Sequence, residues 1–145
     1  MWRKAMTTRV VKAVSALVID SSDRVLLIKR GHEPAKGLWS VPGGSVEHGE
    51  SLEEALVREM LEEVALEVEV GKPVWNVSVA LSEDADYDIH CFRVRVLSGS
   101  LCAGDDAEEA RYVSFAEFER LDTTPRLAEL LARAAWPRPS GSSDE

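Results

Sequence analysis

The chain has little of what marks a secreted, membrane-spanning or nucleic-acid-binding protein. Its 145 residues include only two cysteines, Cys91 and Cys102, which are too few for a disulfide framework. No stretch of about 20 apolar residues is present to span a bilayer. No long apolar run follows Met1, so we expect no signal peptide and a cytoplasmic location.

Positive charge is also scarce. The sequence has 17 Lys and Arg residues against 26 Asp and Glu residues, for a net charge of −9 at pH 7. We therefore expect neither a nucleic acid nor a membrane as a partner. The hydrophobic fraction of 45% is sufficient for a core. We predict one domain over residues 1–136 and a disordered tail, rich in Pro, Ser, Gly and acid, over 137–145.

One segment combines a helix signal with an unusual concentration of acid. Ser51 and Glu54 have the spacing of a capping box, which predicts that a helix begins here and continues to residue 64. An apolar stripe at helical spacing predicts the face that packs on the core. The residues of that stripe are Leu56, Val57, Met60 and Val64.

Three glutamates lie on one side of this predicted helix. Glu59, Glu62 and Glu63 are related as i, i+3 and i+4, so their carboxylates are neighbours and repel each other by a few tenths of a kcal/mol per pair. A solvated acidic face is the alternative interpretation. A hard cation such as Mg²⁺ or Mn²⁺ would explain the cluster, because these ions prefer oxygen ligands. The preceding glycines would let the backbone approach a ligand closely.

The pattern resembles the Nudix box, G-x5-E-x7-R-E-U-x-E-E-x-G-U, where U is aliphatic. One position departs from it, since Ala65 replaces the last glycine, and this could cost about 1 kcal/mol if the backbone there needs a positive φ. The matching residues are Gly44, Glu50, Arg58, Glu59, Met60, Glu62, Glu63 and Leu66.

The resemblance implies a Mg²⁺-dependent (or Mn²⁺-dependent) hydrolase of nucleoside diphosphates linked to another group. It implies catalytic roles for Arg58, Glu59 and Glu62, and Glu59 is the general base in some relatives. The implied metal ligands are the Gly43 carbonyl, Glu59, Glu62 and Glu63. Arg58 has two compatible interpretations: a helical ion pair with Glu54, or a hold on a catalytic carboxylate. Glu50 is expected to act in the turn rather than on the metal.

Other residues are candidates for substrate binding. Arg30 and Lys36, near the glycine loop that contains Gly44, could meet phosphates, although solvated loop side chains are equally expected. Trp39 could stack on a base, but a strand tryptophan is more often part of the core. Many relatives carry an acidic residue in the loop after residue 103, and Asp106 and Glu109 are the candidates here.

Strands surrounded by helices predict an α/β sandwich, and the resemblance likewise implies the Nudix arrangement of a mixed β-sheet between helices. We expect strands at 10–19, 24–30, 38–41, 66–70, 74–81, 87–97 and 110–113, with a break or a bend at 71–73. A short helix follows Ser114, and a last helix begins with Pro125 in its first turn and buries Leu127, Leu130, Leu131 and Ala134.

The resemblance implies a small-molecule nucleotide as the substrate without specifying which one. The region 103–125 is similar to that of small bacterial Nudix proteins described as ADP-ribose pyrophosphatases, so an ADP-ribose-like substrate is favoured. Hydrolysis of oxidised nucleoside triphosphates is an alternative. A non-catalytic nucleotide sensor is a further alternative, but such modules often lose the box carboxylates that this chain keeps. A homodimer is an option, since dimers are frequent in the family.

Overall fold

The computed structural model describes residues 9–33, 35–104 and 106–139. The elements in these ranges are β1 (Arg9–Leu17), β2 (Val25–Arg30), β3 (Trp39–Ser40), β4 (Gly43–Ser45), α1 (Leu52–Val64), β5 (Leu66–Ser82), β6 (Ala85–Gly99), β7 (Ala107–Val113), α2 (Phe115–Phe118) and α3 (Leu127–Arg133). No helix among them has the length and apolar character needed to cross a membrane.

The strands form two sheets. The larger has the order β4-β1-β6-β5 and is mixed, because β1 runs parallel to β6 while the other pairs are antiparallel. The smaller, with the order β3-β2-β7, is antiparallel. The chain changes sheets after Leu17, where Ile19 bridges to Val25 and the Leu26 N–H donates to the Val18 carbonyl at 2.9 Å. The predicted mixed sheet is confirmed, and the second sheet was not predicted.

Helices cover both faces of the larger sheet. Alternate residues of β1 face opposite sides, so Val14 and Ala16 pack with α1 while Leu17 packs with α3. The α1 side also buries Leu26 of the smaller sheet, and the α3 side buries Trp39. This layering confirms the predicted α/β sandwich.

Helix α1 begins and packs largely as its sequence predicts. Ser51 is the N-cap, and Ser51 and Glu54 make both hydrogen bonds of the capping box. Leu56, Met60 and Val64 are fully buried. Val57 is 38% exposed, so its predicted place in the core is wrong. At 100° per residue it lies on the flank of the apolar stripe.

Two other expectations need correction. Strand β5 does not break at 71–73, and the irregularity predicted there takes the form of a register shift between Val70 and Pro73 within a continuous strand. Helix α3 begins at Leu127 and not around Pro125, with Arg126 as a left-handed N-cap. The Thr124 N–H donates to the Trp39 carbonyl at 3.0 Å, which keeps the preceding segment against β3 instead of in a helical turn.

The end of the chain returns to the turn between β1 and β2. The Trp136 indole donates to the Asp23 carbonyl at 2.9 Å, and the Arg138 N–H donates to the Asp23 carboxylate at 2.8 Å. Residues 137–139, the first part of the predicted tail, are therefore tied to the domain at Arg138. Residues 1–8 and 140–145 lie outside the described ranges.

Candidate active site

The last two turns of α1 face the glycine strand β4. Glu63 is only 8% exposed, and its Oε1 accepts a hydrogen bond from the Gly43 N–H at 2.9 Å. Gly43 itself is required by packing, since a Cβ there would overlap the Val14 carbonyl of the neighbouring strand. One buried glutamate is thus fixed to the free edge of the larger sheet.

Gly44 makes room for a second glutamate. The Glu59 side chain is 15% exposed, and its carboxylate lies where a Cβ on Gly44 would be. Because glycine has no side chain, the carboxylate can lie directly against the backbone of β4. The sequence suggested Gly44 as a residue that meets substrate, whereas the structure shows it next to Glu59.

Arg58 joins the helix to the preceding loop through four groups. Its Nε and Nη2 donate to the two oxygens of Glu50 at 2.6 and 2.9 Å. Nη1 donates to Glu59 at 3.0 Å and to Glu62 at 3.1 Å, and Nη2 also donates to the Ser45 carbonyl at 3.0 Å. A single guanidinium therefore fixes two carboxylates of the acidic cluster relative to the glycine loop.

These contacts distinguish the two roles considered for Arg58. The Glu54 carboxylate accepts from the Ser51 N–H at 2.9 Å, and the Arg58 guanidinium is turned toward Glu50, Glu59 and Glu62 instead. The turn position expected for Glu50 is also present, since its Oε1 accepts from the Glu47 N–H at 2.9 Å.

The electrostatics of the cluster follow from burial. Burial raises the pKa of Glu63 to about 7, against the hydrogen bond from Gly43, and the charge of Glu59 raises it further. Burial also raises the pKa of Glu59, while Arg58 opposes this. The pKa of Glu50 is lowered to about 2, chiefly by its hydrogen bonds with Arg58. Two carboxylates of the cluster are therefore costly to ionise without a further cation.

The residues fit a hard cation in chemistry and in place. In the described part of the chain, no three His, Cys, Asp or Glu side chains are already gathered at the spacing of a metal site. Glu62, however, has a side chain that is 61% exposed, and its only described partner is Arg58. The N–H and C=O of a strand residue project from the same edge, so the Gly43 carbonyl faces the side where Glu63 lies. Carboxylates and a peptide carbonyl are ligands that Mg²⁺ and Mn²⁺ accept.

Two residues outside the helix approach the cluster. The charge of Asp106 contributes to the raised pKa of both Glu59 and Glu63, and the charge of Arg30 partly offsets the rise at Glu63. Asp106 is held by the segment after β2, because its carboxylate lies 3.1 Å from His32 Nε2 and its carbonyl accepts from the Gly31 N–H at 3.1 Å.

The remaining candidates are Glu109, Lys36 and Trp39. Glu109 is exposed on β7 opposite Lys29, so Asp106 is the better placed of the two acidic candidates. Lys36 is exposed in the segment between β2 and β3. Trp39 is only 5% exposed, and the Arg111 guanidinium lies 4.9 Å from its ring centre. This packing favours the core role of Trp39 over stacking on a base.

Sequence reasoning missed some contacts that organise the site. Nothing local indicates that Glu59 lies against Gly44 or that the Ser45 carbonyl binds Arg58, since both contacts depend on how α1 lies on β4. The pairing of His32 with Asp106 joins segments more than 70 residues apart and has no sequence signal either.

Comparisons with known proteins agree with this geometry. The family model described as NUDIX domain matches residues 9–134. A protein from Methanocaldococcus jannaschii named ADP-ribose pyrophosphatase is 42% identical over 115 residues, which are 77% of this chain and 63% of that protein. A Bacillus subtilis protein named putative 8-oxo-dGTP diphosphatase is 48% identical over 59 residues, 38% of each chain. The chain thus spans less than two thirds of the length of both relatives.

Solved structures show the same fold. The solution structure of the E. coli ORF135 protein has a TM-score of 0.76 at 26% identity, over 93% of this chain and 97% of that chain. The crystal structure of a MutT protein from Methanosarcina mazei Go1 also has a TM-score of 0.76, at 22% identity, over 87% of this chain and 93% of that one.

Proposed function

Because the chain belongs to the Nudix family, we propose that it is a divalent-metal-dependent hydrolase of nucleoside diphosphates linked to another group. The observation that carries the proposal is that Glu59 and Glu63 lie against the glycine strand, while Arg58 hydrogen-bonds to Glu59 and to the neighbouring Glu62. Such a set of oxygen donors suits a phosphoanhydride substrate, whose own charge must be neutralised before it can react.

The reaction is the addition of water across a P–O–P linkage. A water oxygen forms a bond to one phosphorus, the bond from that phosphorus to the bridging oxygen breaks, and two phosphomonoesters result. Bound Mg²⁺ or Mn²⁺ would neutralise phosphate charge and make a water more acidic. Gly43, Glu59, Glu62 and Glu63 would hold the ion.

The chain's own groups supply orientation and a proton acceptor. Arg58 holds the Glu59 and Glu62 carboxylates in position relative to the loop before α1. Glu63 is held by its hydrogen bond from the Gly43 N–H. Glu59 is the proposed proton acceptor from the attacking water. Asp106, whose charge is felt by Glu59 and Glu63, is a second acidic group at the same place.

An ADP-ribose-like substrate is favoured. The support is the 42% identity to the archaeal protein named ADP-ribose pyrophosphatase, which extends over 77% of this chain. The second candidate is an oxidised nucleoside triphosphate, favoured by the shorter but 48% identical match to a putative 8-oxo-dGTP diphosphatase. A sensor that binds without cleaving would have no need of the Arg58 network.

A hydrolysis screen tests the function. The purified chain is incubated with ADP-ribose, sugar nucleotides, dinucleoside polyphosphates and 8-oxo-dGTP, with Mg²⁺, with Mn²⁺ or with EDTA. We expect turnover only with a metal, and AMP plus ribose 5-phosphate from ADP-ribose. Glu62→Gln and Glu63→Gln should each lower kcat by at least about 100-fold.

The matched control lies on the same helix. Glu53→Gln removes an exposed carboxylate from the first turn of α1, away from β4, and should leave kcat within about twofold of wild type. Turnover that survives both Glu62→Gln and Glu63→Gln would overturn the assignment. Tight nucleotide binding with no cleavage under any metal would instead support the sensor.

A further inference from the structure

A groove of about 490 Å³ lies where the two sheets separate. Strand β1 pairs with β6 only as far as Leu17, opposite Arg93, and then leaves for the smaller sheet. Strand β6 continues to Gly99 with β5 on its other side. The groove occupies the space that β1 vacates, and none of its lining residues belongs to α1 or β4.

The lining of this sheet-junction groove includes several apolar residues, of which Val18 and Val94 are almost fully buried. Val18 and Ile19 line it from the departing end of β1, and Val94 and Val96 line it from β6. Tyr112 of β7 contributes a half-buried aromatic ring with a hydroxyl group. Burial raises the pKa of Tyr112, so the hydroxyl stays protonated at neutral pH and can donate a hydrogen bond.

Among the described residues, every charged side chain that lines the groove is in an ion pair except one. Asp20 is paired with Arg24 at 2.9 Å, and Glu69 is paired with Arg95 at 2.6 Å. Arg93 also lines the groove, and across residues 9–33, 35–104 and 106–139 the structure shows no hydrogen bond or ion pair to its side chain. Although the protein has a net charge of −9, the Arg93 guanidinium beside the groove thus has no acidic partner among the described residues.

We propose that the sheet-junction groove binds a small ligand in which one phosphate or carboxylate is attached to a flat apolar body. The anionic group would bind the Arg93 guanidinium, whose paired donors match two oxygens of either anion. The apolar body would lie against the half-buried side chains of Ile19 and Tyr112. The volume is within the range of small-molecule sites, roughly 300–1,000 Å³.

A titration followed by NMR tests the proposal. The full chain, in EDTA so that no metal bridges the ligand to the acidic cluster, is titrated with 1-naphthyl phosphate, 1-naphthoate and 1-naphthol. We expect saturable shifts of the Val18, Val94 and Val96 amide signals with the two anions. Neutral 1-naphthol should bind about tenfold more weakly. The tighter of the two anions identifies phosphate or carboxylate as the preferred group.

A matched pair of variants locates the anion. Arg93→Gln removes the unpaired guanidinium and should weaken binding of 1-naphthyl phosphate by about tenfold. Arg133→Gln removes a guanidinium that lies outside the groove lining and is already paired with Glu129, and should change the affinity less than twofold. Circular dichroism shows whether each variant folds.

The opposite results overturn the site. The proposal is wrong if millimolar 1-naphthyl phosphate leaves the groove amides unshifted, or if its shifts map only to Gly43, Gly44 and the end of α1. It is equally wrong if Arg93→Gln binds as tightly as wild type. Because every measurement is made without a metal and without turnover, the result is independent of the proposed hydrolase activity.

Discussion

The carboxylate of Glu59 occupies the space that a side chain at Gly44 would fill. Glu59 comes from the helix and Gly44 from the edge strand, so their contact sets how closely the acidic cluster approaches the backbone of β4. The absence of a Cβ at Gly44 therefore matters for the geometry of the site as well as for the turn.

Substitution of Gly44 by alanine should impair activity with little loss of stability. The three atoms nearest to the new Cβ all belong to the carboxylate end of the Glu59 side chain, which can swing away while the backbone stays in place. A displacement of about 1 Å at a catalytic group costs on the order of 100-fold in rate. We expect kcat for the best substrate to fall by about that factor, with a midpoint of urea unfolding near that of wild type.

The neighbouring glycine provides the contrast. A Cβ at Gly43 would overlap the Val14 carbonyl and the Ser15 backbone, neither of which can rotate away. Gly43→Ala should therefore destabilise the fold, by about 1–3 kcal/mol, in the urea titration. Equal losses of stability in both variants would contradict the idea that Gly44 serves Glu59 specifically.

Arg58→Lys should lower kcat more than it raises KM. A lysine keeps the charge but cannot donate to Glu50, Glu59 and Glu62 in the geometry of the guanidinium fork. The carboxylates would lose their common anchor, while the contacts with substrate are not directly changed. We expect a 10- to 100-fold loss of kcat, measured by steady-state kinetics across Mg²⁺ concentrations.

Arg95→Lys is the control for a conservative change at an arginine. Its pair with Glu69 is well exposed, with side chains 69% and 59% accessible, so the exchange should be kinetically silent. An Arg58→Lys enzyme as active as Arg95→Lys would show that the guanidinium network does not position the site.

The parts of the fold that could be predicted are those determined by residues close together in the sequence. The capping box of Ser51 and Glu54 fixes the start of α1, and the i, i+3, i+4 spacing fixes which glutamates share a side. Both depend only on residues within a few turns of helix. The α/β sandwich followed from strands surrounded by helices, and the mixed sheet from the resemblance to the Nudix family.

The parts that could not be predicted depend on long-range contacts. The second sheet forms because β1 passes from one sheet to the other at Ile19, and β2 pairs with β7, about 85 residues later in sequence. Helix α3 starts later than Pro125 suggests, because the Thr124 N–H is held by Trp39. The core position favoured for Trp39 was settled only by its burial, at 5% exposure, among residues distant in sequence.

Ala65→Gly should stabilise the protein. Ala65 caps α1 with φ 63° and ψ 31°, the left-handed conformation that the sequence comparison with the Nudix box raised as a question. A residue with a Cβ is destabilised in this conformation by roughly 1–2 kcal/mol. Glycine avoids that cost, but part of the gain is lost because the unfolded chain is more flexible with glycine at this position. We expect a net gain of about 0.5–1 kcal/mol in urea unfolding.

Ala55→Gly is the internal check on that gain. Ala55 lies in the buried interior of α1 with ordinary helical backbone, so glycine there should cost about 1 kcal/mol. A destabilised Ala65→Gly variant would mean that the Cβ of Ala65 makes contacts worth more than the backbone strain it carries.

The buried carboxylate of Glu63 should make the metal-free protein less stable as pH rises. Its pKa is raised from 4.5 to about 7 in the folded chain, so the folded state holds this proton more tightly than the unfolded state does. The associated stability is complete below pH 4.5 and is lost as pH rises through 7, amounting to ~3 kcal/mol for a shift of this size. Glu59, also shifted upward, adds to the trend.

Urea titrations in EDTA between pH 5 and 8 measure the effect as the difference between wild type and Glu63→Gln. The variant cannot ionise at this position. The difference in free energy of unfolding should therefore favour wild type progressively less as pH rises. A difference that is independent of pH would refute the role given to burial. Mg²⁺ should restore stability chiefly above pH 7, because a cation binds the ionised carboxylate and must displace the proton from the protonated one. Stabilisation by Mg²⁺ that is equal at pH 5 and pH 8 would place the ion elsewhere on this acidic protein.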